Sequence, residues 1–390
     1  MLERDSRHYG DFEFNLRELA GSMGDFGTLF PLAMGLIAVC GMDPAALFVM
    51  IGLTNIATGI IYRLPMPVEP KKVVSVAAIA QAWPASMVVA SGLGLGIVWF
   101  VIVVTGALRK LIQVTPVYLI RGIQLALGIT LGWSALKMMA PEPWLGLLAV
   151  AIVLLLRKNR YAPAALVVMA VGVAIAAFRG DLGHHLSFGI TLPRFALPVW
   201  SEIWRGMVLA GFAQIPLTIT NAVLATATMI RDLFPEKPVS ENKLMLNMSV
   251  MNIASSFFGG MPMCHGSGGL AGQYYFGART GGANILEGLI EISLGVFLGQ
   301  SLLETLAAFP MPLIGGMMLM VGVQFVRPVL ALRRWPLFLA VLTTALSLVS
   351  NMAIGFAVGL AASYLTRWLI GRGVLKGDLQ EAHQAPLRQK

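Results

Sequence analysis

The chain has 390 residues, of which 57% are hydrophobic and 12% are charged, and its mean hydropathy is +0.77. In a soluble protein about a quarter of the residues are charged, so this is an integral membrane protein with no room for a sizeable soluble domain. The net charge is +9, but the Lys and Arg residues cluster in short loops between apolar runs, which indicates membrane topology rather than a nucleic-acid partner.

A polar stretch, residues 1–17, precedes a series of apolar runs bounded by Pro, Gly or charged residues. At about 20 residues per crossing, the runs predict fourteen membrane-spanning segments. With both termini cytoplasmic, most Lys and Arg residues face the cytoplasm, as expected for a multi-pass cell-membrane protein. Residues 372–390 then form a cytoplasmic tail without a regulatory domain. The segments are 18–39, 44–62, 66–82, 88–109, 115–136, 143–156, 163–178, 204–230, 242–259, 262–275, 284–303, 306–326, 335–350 and 352–371.

The sequence shows signs of an internal duplication. The pattern Pro-x-x-Leu-Ile-x-Gly occurs at 116–122 and again at 310–316, and Met-Pro occurs at 66–67 and again at 261–262, each about half the chain length apart. Seven segments per half is an odd number, so the second half (204–371) lies upside down relative to the first (18–178). We therefore predict an all-α fold with a 7+7 inverted repeat, as in many secondary transporters.

The third and tenth segments are interrupted and predict a binding site. Pro65, Pro67 and Pro70 exclude an interior helical turn, so the third segment is expected to be extended up to a helix start near Pro70. Residues 259–269 of the tenth segment are broken by Gly and Pro. A helix that begins within the membrane points free N–H groups and a positive dipole end at an anion. The alternative is that both breaks are tight interhelical corners.

Side chains near these two helix starts complete the candidate site. Lys72 is preferred over Lys71 as the functional cation, because neighbouring helical residues point about 100° apart and only one can face the site. Polar groups of the eighth segment either donate hydrogen bonds to an oxyanion or bond between helices. The candidate substrate-binding residues are Val68, Glu69, Lys72, Gln214, Thr218, Asn221, Cys264, His265, Gly266, Ser267 and Gly268.

Carboxylates within apolar runs are candidate carriers of a coupling proton, because an acid at membrane depth is costly unless it has a function. Asp25 shares its segment with Gly21, Gly24 and Gly27, whose spacing favours close helix packing. The candidate proton carriers are Asp25, Glu69, Glu287 and Glu291.

An enzyme site is disfavoured. His265 and Ser267 lack the Gly-x-Ser-x-Gly pattern of a nucleophile elbow, and the sequence holds no Gly-x-x-x-x-Gly-Lys-Ser/Thr loop for nucleotide phosphates. Cys40 and Cys264 are too few for a thiolate metal site and are interpreted as free thiols. We expect neither a metal nor a cofactor.

Several of these stretches resemble motifs of a known family. The stretch 65–72 resembles Pro-Met-Pro-Val-Gln-Pro-Met-Lys, with Glu69 in place of Gln and Lys71 in place of Met. The stretch 264–279 is the more specific match, although Tyr275 stands where Arg is expected. On these residues, and on similar stretches at 24–28 and 214–218, the chain is identified as a member of the molybdate transporter family related to the sulfate permeases.

The resemblance implies an importer with a core domain and a gate domain that carries molybdate, with tungstate and sulfate as further candidates, and it makes a homodimer plausible. An inside-negative potential opposes entry of a dianion, so we expect coupling to protons or to other cations, with protons preferred. The alternatives are a carrier of bicarbonate or a nucleobase on the same fold, and a passive anion channel. Glu69 either pairs with Lys71 as a compensating change or alters selectivity and coupling.

Overall fold

A computed structural model describes residues 10–156, 164–180, 189–372 and 374–375, and these are predominantly helical. Residues 1–9 of the predicted N-terminal stretch, and residues 373 and 376–390 of the predicted tail, lie outside this description. Seven helical stretches in the described part are long and apolar enough to cross a membrane, so the protein is a mostly helical membrane protein. They are Leu16–Cys40, Pro44–Tyr62, Ala85–Thr105, Val117–Met139, Trp200–Leu233, Met311–Ala331 and Met352–Gly371.

The secondary structure follows the predicted apolar runs. The first half of the chain forms α1 (Leu16–Ser22), α2 (Phe26–Cys40), α3 (Pro44–Tyr62), β1 (Glu69–Pro70), α4 (Lys72–Gln81), α5 (Ala85–Thr105), α6 (Leu108–Val114), α7 (Val117–Met139), α8 (Pro143–Leu156) and α9 (Ala164–Arg179). The second half forms α10 (Trp200–Gly206), α11 (Phe212–Leu217), α12 (Thr226–Leu233), α13 (Glu241–Ser256), β2 (Met263–Cys264), α14 (Ser267–Phe276), α15 (Gly282–Ala308), α16 (Met311–Val326), α17 (Arg334–Val349) and α18 (Met352–Gly371).

Two boundaries differ from the prediction. α4 begins at Lys72 rather than near Pro70, because the chain up to Pro70 is still extended and pairs with a second extended segment. The predicted run 88–109 is divided, since α5 ends at Thr105 and Gly106 takes the left-handed conformation, with φ of 64°, before α6 begins. Glycine adopts this conformation at little steric cost, which is why it commonly ends helices.

The stretch Trp200–Leu233 is a long helix with two wide turns. Between α10, α11 and α12 lie π-helical segments, Met207–Gly211 and Thr218–Ala225. Pro216, inside α11, has no N–H to donate to the preceding turn. Such π-helical turns are rare and often occur at functional sites, and the second one carries Asn221.

The long helices pack in two related pairs, α3 along α15 and α5 along α13, while α16 packs along α7. Small residues bring the backbones together: a Cβ on Gly52 would lie 2.6 Å from the Gly288 carbonyl oxygen, and a Cβ on Gly288 would lie 2.3 Å from that of Gly52. Close approach through glycine is the usual means of helix packing within a membrane. The main buried hydrophobic cluster fills the space between α2, α4, α5, α7 and α16.

The glycines beside Asp25 were predicted to permit close helix packing, and this is confirmed for two of them. A Cβ on Gly21 would lie 2.1 Å from the backbone nitrogen of Ala278, and one on Gly24 would lie 2.4 Å from that of Gln273. Gly27 has no such neighbour within 4 Å. The backbone of α1 and of the residues that follow it therefore packs closely against α14 and the turn after α14.

The two strands form the only sheet among the described residues. Glu69 lies opposite Cys264 and Pro70 lies opposite Met263 in an antiparallel pair. Each strand leads directly into a short helix, β1 into α4 and β2 into α14. The pairing therefore brings the starts of two helices from different halves of the chain to one place.

Candidate functional site

The helix starts of α4 and α14 border one small region. The Lys71 N–H donates to the Pro262 carbonyl oxygen at 2.8 Å, which extends the strand pairing to the point where α4 begins. A Cβ on Gly266 would lie 3.5 Å from Nζ of Lys72. The N-terminal end of α14 and the ammonium group at the start of α4 are thus neighbours.

Two asparagines, neither of them predicted, hold the extended segments in place. Asn252 of α13 accepts a hydrogen bond from the Met263 N–H at 2.9 Å and donates to its carbonyl at 2.7 Å. Asn284 of α15 does the same for Met66, at 2.8 Å and 2.6 Å. A buried backbone without partners is costly, so each amide replaces a missing strand partner. The available sequence signal was an Asn within an apolar run, single for Asn284 and one of three for Asn252.

Glu69 and Lys72 form an ion pair inside the site. Oε2 of Glu69 lies 2.7 Å from Nζ of Lys72, and their side chains are 1% and 12% exposed. Of the two predicted roles of Glu69, pairing with Lys71 is wrong, and an effect on selectivity and coupling stays a prediction. Glu69 lies in the extended segment and Lys72 begins the helix α4. The change from strand to helix brings these two side chains, three residues apart, into contact. The carboxylate also lies against Gly266 and Gly269 of the α14 start.

Lys71 points away from this region. Its side chain is fully buried, and its Nζ lies 5.5 Å from the ring centroid of Trp99, at a distance typical of a cation–π contact. Nζ of Lys71, Nε1 of Trp99 and Oγ of Ser75 have no hydrogen-bond partner within the described residues. The structure therefore separates the two lysines as predicted, with Lys72 at the helix starts.

Polar residues of the wide-turned helix contact both helix starts. Oε1 of Gln214 accepts a hydrogen bond from the Val73 N–H at 2.8 Å, and Nε2 of Gln214 donates to Oγ1 of Thr218 at 2.9 Å. Oδ1 of Asn221 accepts from Oγ of Ser267 at 2.9 Å. Gln214 and Asn221 thus make hydrogen bonds between helices, which is one of the two predicted roles.

Only part of the candidate set is accessible. Lys72, Asn221 and Ser267 are partly exposed, and Gly268 is exposed with no other atom near the place of a Cβ. Within the described residues no side chain caps the N-terminus of α14, so its first N–H groups remain available. These accessible groups form the open edge of the site. The buried candidates around it are Val68, Gln214, Thr218, Cys264, His265 and Gly266.

His265 supports the backbone of the site. Its Nδ1 lies 3.0 Å from the Pro67 carbonyl oxygen, and its Nε2 lies 3.2 Å from the side-chain amide of Asn247. Both ring nitrogens are therefore engaged away from Ser267, and the pair does not form a nucleophile–base dyad. Cys264 is buried in β2 as a free thiol.

The remaining candidate acids form a buried group beside α14. Nε2 of Gln273 lies 3.1 Å from Glu287 and 3.5 Å from Asp25, and the side-chain amide of Asn55 donates to Glu291 at 2.8 Å. Each of the three carboxylates keeps one oxygen without a partner among the described residues. Buried acids in a membrane that lack a basic partner are suited to exchanging a proton.

The start of the first extended segment is anchored at the surface. Arg63 has a left-handed backbone with φ of 56°, and Asp11 bonds to its guanidinium at 2.9 Å and to Nζ of Lys237 at 2.8 Å. The Lys237 hydrogen bond, together with the nearby Arg63 charge, holds the pKa of Asp11 below its ordinary value.

Solved structures of anion transporters share this fold. The transmembrane domain of the cyanobacterial bicarbonate transporter BicA superposes with a TM-score of 0.67 at 16% sequence identity, covering 87% of this chain and 96% of that chain. Murine Solute Carrier 26 family member A9, an anion transporter in the inward-facing state, gives a TM-score of 0.67 at 16% identity, covering 93% and 70%. At such identities the likeness shows the fold alone.

Sequence comparison is more specific. The family model described as "Molybdate transporter of MFS superfamily" matches residues 17–131 and 206–325. Molybdate transporter 1 of Arabidopsis thaliana is 32% identical, over 94% of this chain and 91% of the relative, and molybdate transporter 2 of the same plant is 29% identical, over 90% and 87%. The resemblance predicted from the motifs is confirmed, and the chain belongs to the molybdate transporter family.

Proposed function

We propose that this protein is a secondary transporter that imports a tetrahedral oxyanion, with molybdate as the preferred substrate and tungstate and sulfate as further ones. The observation that carries the proposal is a partly exposed ammonium group, Lys72, beside the uncapped N-terminus of α14. A fixed positive charge and free backbone N–H groups together suit a small anion. The relatives named as molybdate transporters support the choice of substrate.

The proposed site comprises Lys72, Asn221, Ser267 and Gly268 as contacts with the oxyanion, and Gly266 is buried beside them at the start of α14. Glu69 pairs with the ammonium, and Val68, Gln214, Thr218, Cys264 and His265 shape the backbone around it. This division follows exposure, because only groups that reach the open edge can contact a substrate that enters from water.

The architecture that we propose is a 7+7 inverted repeat with fourteen segments, interrupted third and tenth segments, and separate core and gate domains. Its support is the packing pattern. The second segment packs on the eleventh as α3 on α15, and the fourth packs on the ninth as α5 on α13. Exchanging the two halves converts one pair into the other, as a duplicated fold requires.

Import is proposed to be coupled to protons. Moving a dianion against an inside-negative potential costs about 4.6 kcal/mol per 100 mV, twice the single-charge value. The proposed proton carriers are four buried carboxylates near the site: Asp25, Glu69, Glu287 and Glu291. The protein is further proposed to reside in the cell membrane with cytoplasmic termini, which places most Lys and Arg residues inside, and to form a homodimer.

The test is uptake of labelled molybdate into proteoliposomes. The double variant Glu69→Gln/Lys72→Met removes the ammonium without leaving a buried carboxylate unpaired, and Glu69→Gln alone is its reference. We expect the double variant to lose roughly tenfold to a hundredfold in uptake at low substrate, since a hydrogen bond to a charged group contributes about 1.5–3 kcal/mol. Lys71→Met is the matched control and should stay within about twofold of the unmodified protein, because Lys71 faces Trp99.

Three outcomes would contradict parts of the proposal. Equal uptake by the double variant and its reference, both well above that of empty liposomes, would refute the site. Competition by bicarbonate or a nucleobase, but not by tungstate or sulfate, would refute the substrate class. A current that follows the electrochemical gradient and does not depend on pH would indicate a passive anion channel instead of a coupled transporter.

A further inference from the structure

Glu69 occupies the place where the site would be expected to hold its anion. Its Oε2 accepts a hydrogen bond from Nζ of Lys72 at 2.7 Å. A Cβ on Gly266 would lie 2.6 Å from the same oxygen, and a Cβ on Gly269 would lie 2.5 Å from Oε1. The carboxylate is 1% exposed and is pressed against the first turn of α14. A negative group of the protein itself thus lies between the ammonium and the helix start.

We propose that Glu69 is an internal competitor of the oxyanion, and that the substrate binds only when Glu69 takes up a proton and releases Lys72. The inference rests on the proposed function, since it concerns the same site. Both anions require the same ammonium group and the same edge of α14, so they exclude each other. Because the oxyanion can bind Lys72 only when Glu69 carries a proton, one proton binds together with each oxyanion.

Four titratable groups face Glu69. Lys72 of α4 is its cationic partner, and the acids Asp25, after α1, and Glu287, of α15, are its neighbours, as is the free thiol of Cys264 in β2. A dianion placed beside an ionised Glu69 would meet strong repulsion at short range. Protonation of Glu69 removes this repulsion.

The neighbouring lysine does not relieve the competition. Nζ of Lys71 lies over the Trp99 ring and has no hydrogen-bond partner within the described residues. Lys72 is therefore the ammonium that Glu69 and the substrate must share.

The exchange is balanced in protons and involves no covalent change in the oxyanion. A proton from water binds one Glu69 oxygen, which converts the carboxylate into a carboxylic acid. Nζ of Lys72 then transfers its hydrogen bond from Glu69 to an oxyanion oxygen. The neutral acid has one O–H donor of its own, so it can remain beside the substrate. Release of the substrate on the other side returns Lys72 to Glu69, and the proton leaves to water.

The experiment is calorimetric titration of molybdate into the purified full-length protein in detergent at pH 6.5 and pH 8.5. If one proton is taken up with the anion, the affinity falls as pH rises, by up to about tenfold per pH unit. Glu69→Gln has a neutral side chain at every pH and cannot compete. We expect it to bind molybdate at least about tenfold more tightly than the unmodified protein at pH 8.5 and to lose most of the pH dependence.

Glu18→Gln is the matched control. Glu18 is a fully buried carboxylate that accepts backbone N–H groups of Arg279 and Thr280 and does not contact Lys72. Removing its charge should leave the affinity and its pH dependence as in the unmodified protein. If Glu69→Gln binds no more tightly than the unmodified protein, or keeps the full pH dependence, Glu69 is not a competitor while the proposed function stands. If neither the unmodified protein nor Glu69→Gln binds an oxyanion at either pH, the proposed function and the inference about Glu69 both fail.

A second measurement does not need a variant. Titrating the unmodified protein in two buffers with different heats of ionisation gives the number of protons taken up with each oxyanion. We expect about one proton at a pH at which Glu69 is ionised in the empty site. Binding without proton uptake would overturn the inference even if Glu69→Gln failed to fold.

Discussion

The two extended segments have similar backbones and different chemistry. Each is held by one asparagine, Asn284 for the first and Asn252 for the second, and each leads into a helix of ten residues, α4 and α14. The first segment provides the charges of the site, Glu69 and Lys72. The second provides glycines and a helix start that no side chain of the described residues caps.

The comparison shows that two extended segments with similar backbones contribute different groups to the candidate site. A helix N-terminus contributes partial positive charge through N–H groups, which act only at short range. Because Gly266 and Gly269 have no side chain, the carboxylate of Glu69 can lie close to the N-terminus of α14. The ammonium of α4 supplies a full charge from the opposite side. We therefore expect substitutions in the second segment to act by filling space, and those in the first to act through charge.

The largest effect is expected for Gly266→Leu. A Cβ there would lie 2.6 Å from Oε2 of Glu69 and 3.5 Å from Nζ of Lys72, so the larger side chain must displace both groups from the α14 start. Molybdate uptake into proteoliposomes should fall at least about a hundredfold, equivalent to about 2.7 kcal/mol. Gly132→Ala is a control in α7, where the nearest atom to an added Cβ is 3.8 Å away. Uptake by Gly266→Leu within tenfold of the unmodified protein would place the substrate elsewhere.

An intermediate effect, on stability, is expected for the asparagines. Asn252→Ala and Asn284→Ala each leave a buried backbone N–H and carbonyl without partners. Each unpaired group costs about 1–3 kcal/mol, so both variants should unfold at clearly lower denaturant concentration in detergent. Because the two extended segments bind their asparagines in the same way, the two losses should be similar. A loss confined to one variant would show that only one segment depends on its asparagine. Asn351→Ala, which removes an exposed helix cap, is the control and should cost about 1 kcal/mol.

The smallest effect is expected at the surface anchor of the first segment. The second segment begins at Gly259, whose φ of 73° suits glycine, while Arg63 takes a similar conformation with the help of Asp11. The pKa of Asp11 is lowered in the folded protein, chiefly by its hydrogen bond to Lys237. Its contribution to stability is therefore present at neutral pH and is lost as pH falls through the lowered pKa, below about pH 4.

Asp11→Asn should accordingly lower the thermal unfolding temperature slightly at pH 7, with the difference closing in acid. Adding salt should also reduce the difference, because exposed ion pairs are screened. A difference from the unmodified protein that persists unchanged at low pH and high salt would mean that Asp11 acts through packing instead of charge.

Much of the fold was predictable because it depends on local composition. Apolar runs of membrane-spanning length located the helices, and prolines located the extended segment before α4. Charged groups paired across a turn were less predictable. One of the two interpretations of Glu69 paired it with Lys71, but in the folded chain its partner is Lys72, three residues on, and Lys71 lies beside Trp99.

The sequence alone determined that this is a membrane protein, which family it belongs to, and that the chain is extended before α4. Hydropathy, proline and glycine are local properties, and motifs are read residue by residue. Only the tertiary structure decided that Lys72 lies at the helix starts, that Glu69 lies against the α14 start, that Asn252 and Asn284 hold the extended segments, and that His265 is engaged elsewhere. Such contacts join residues far apart in the chain, and their geometry is set by how the helices pack.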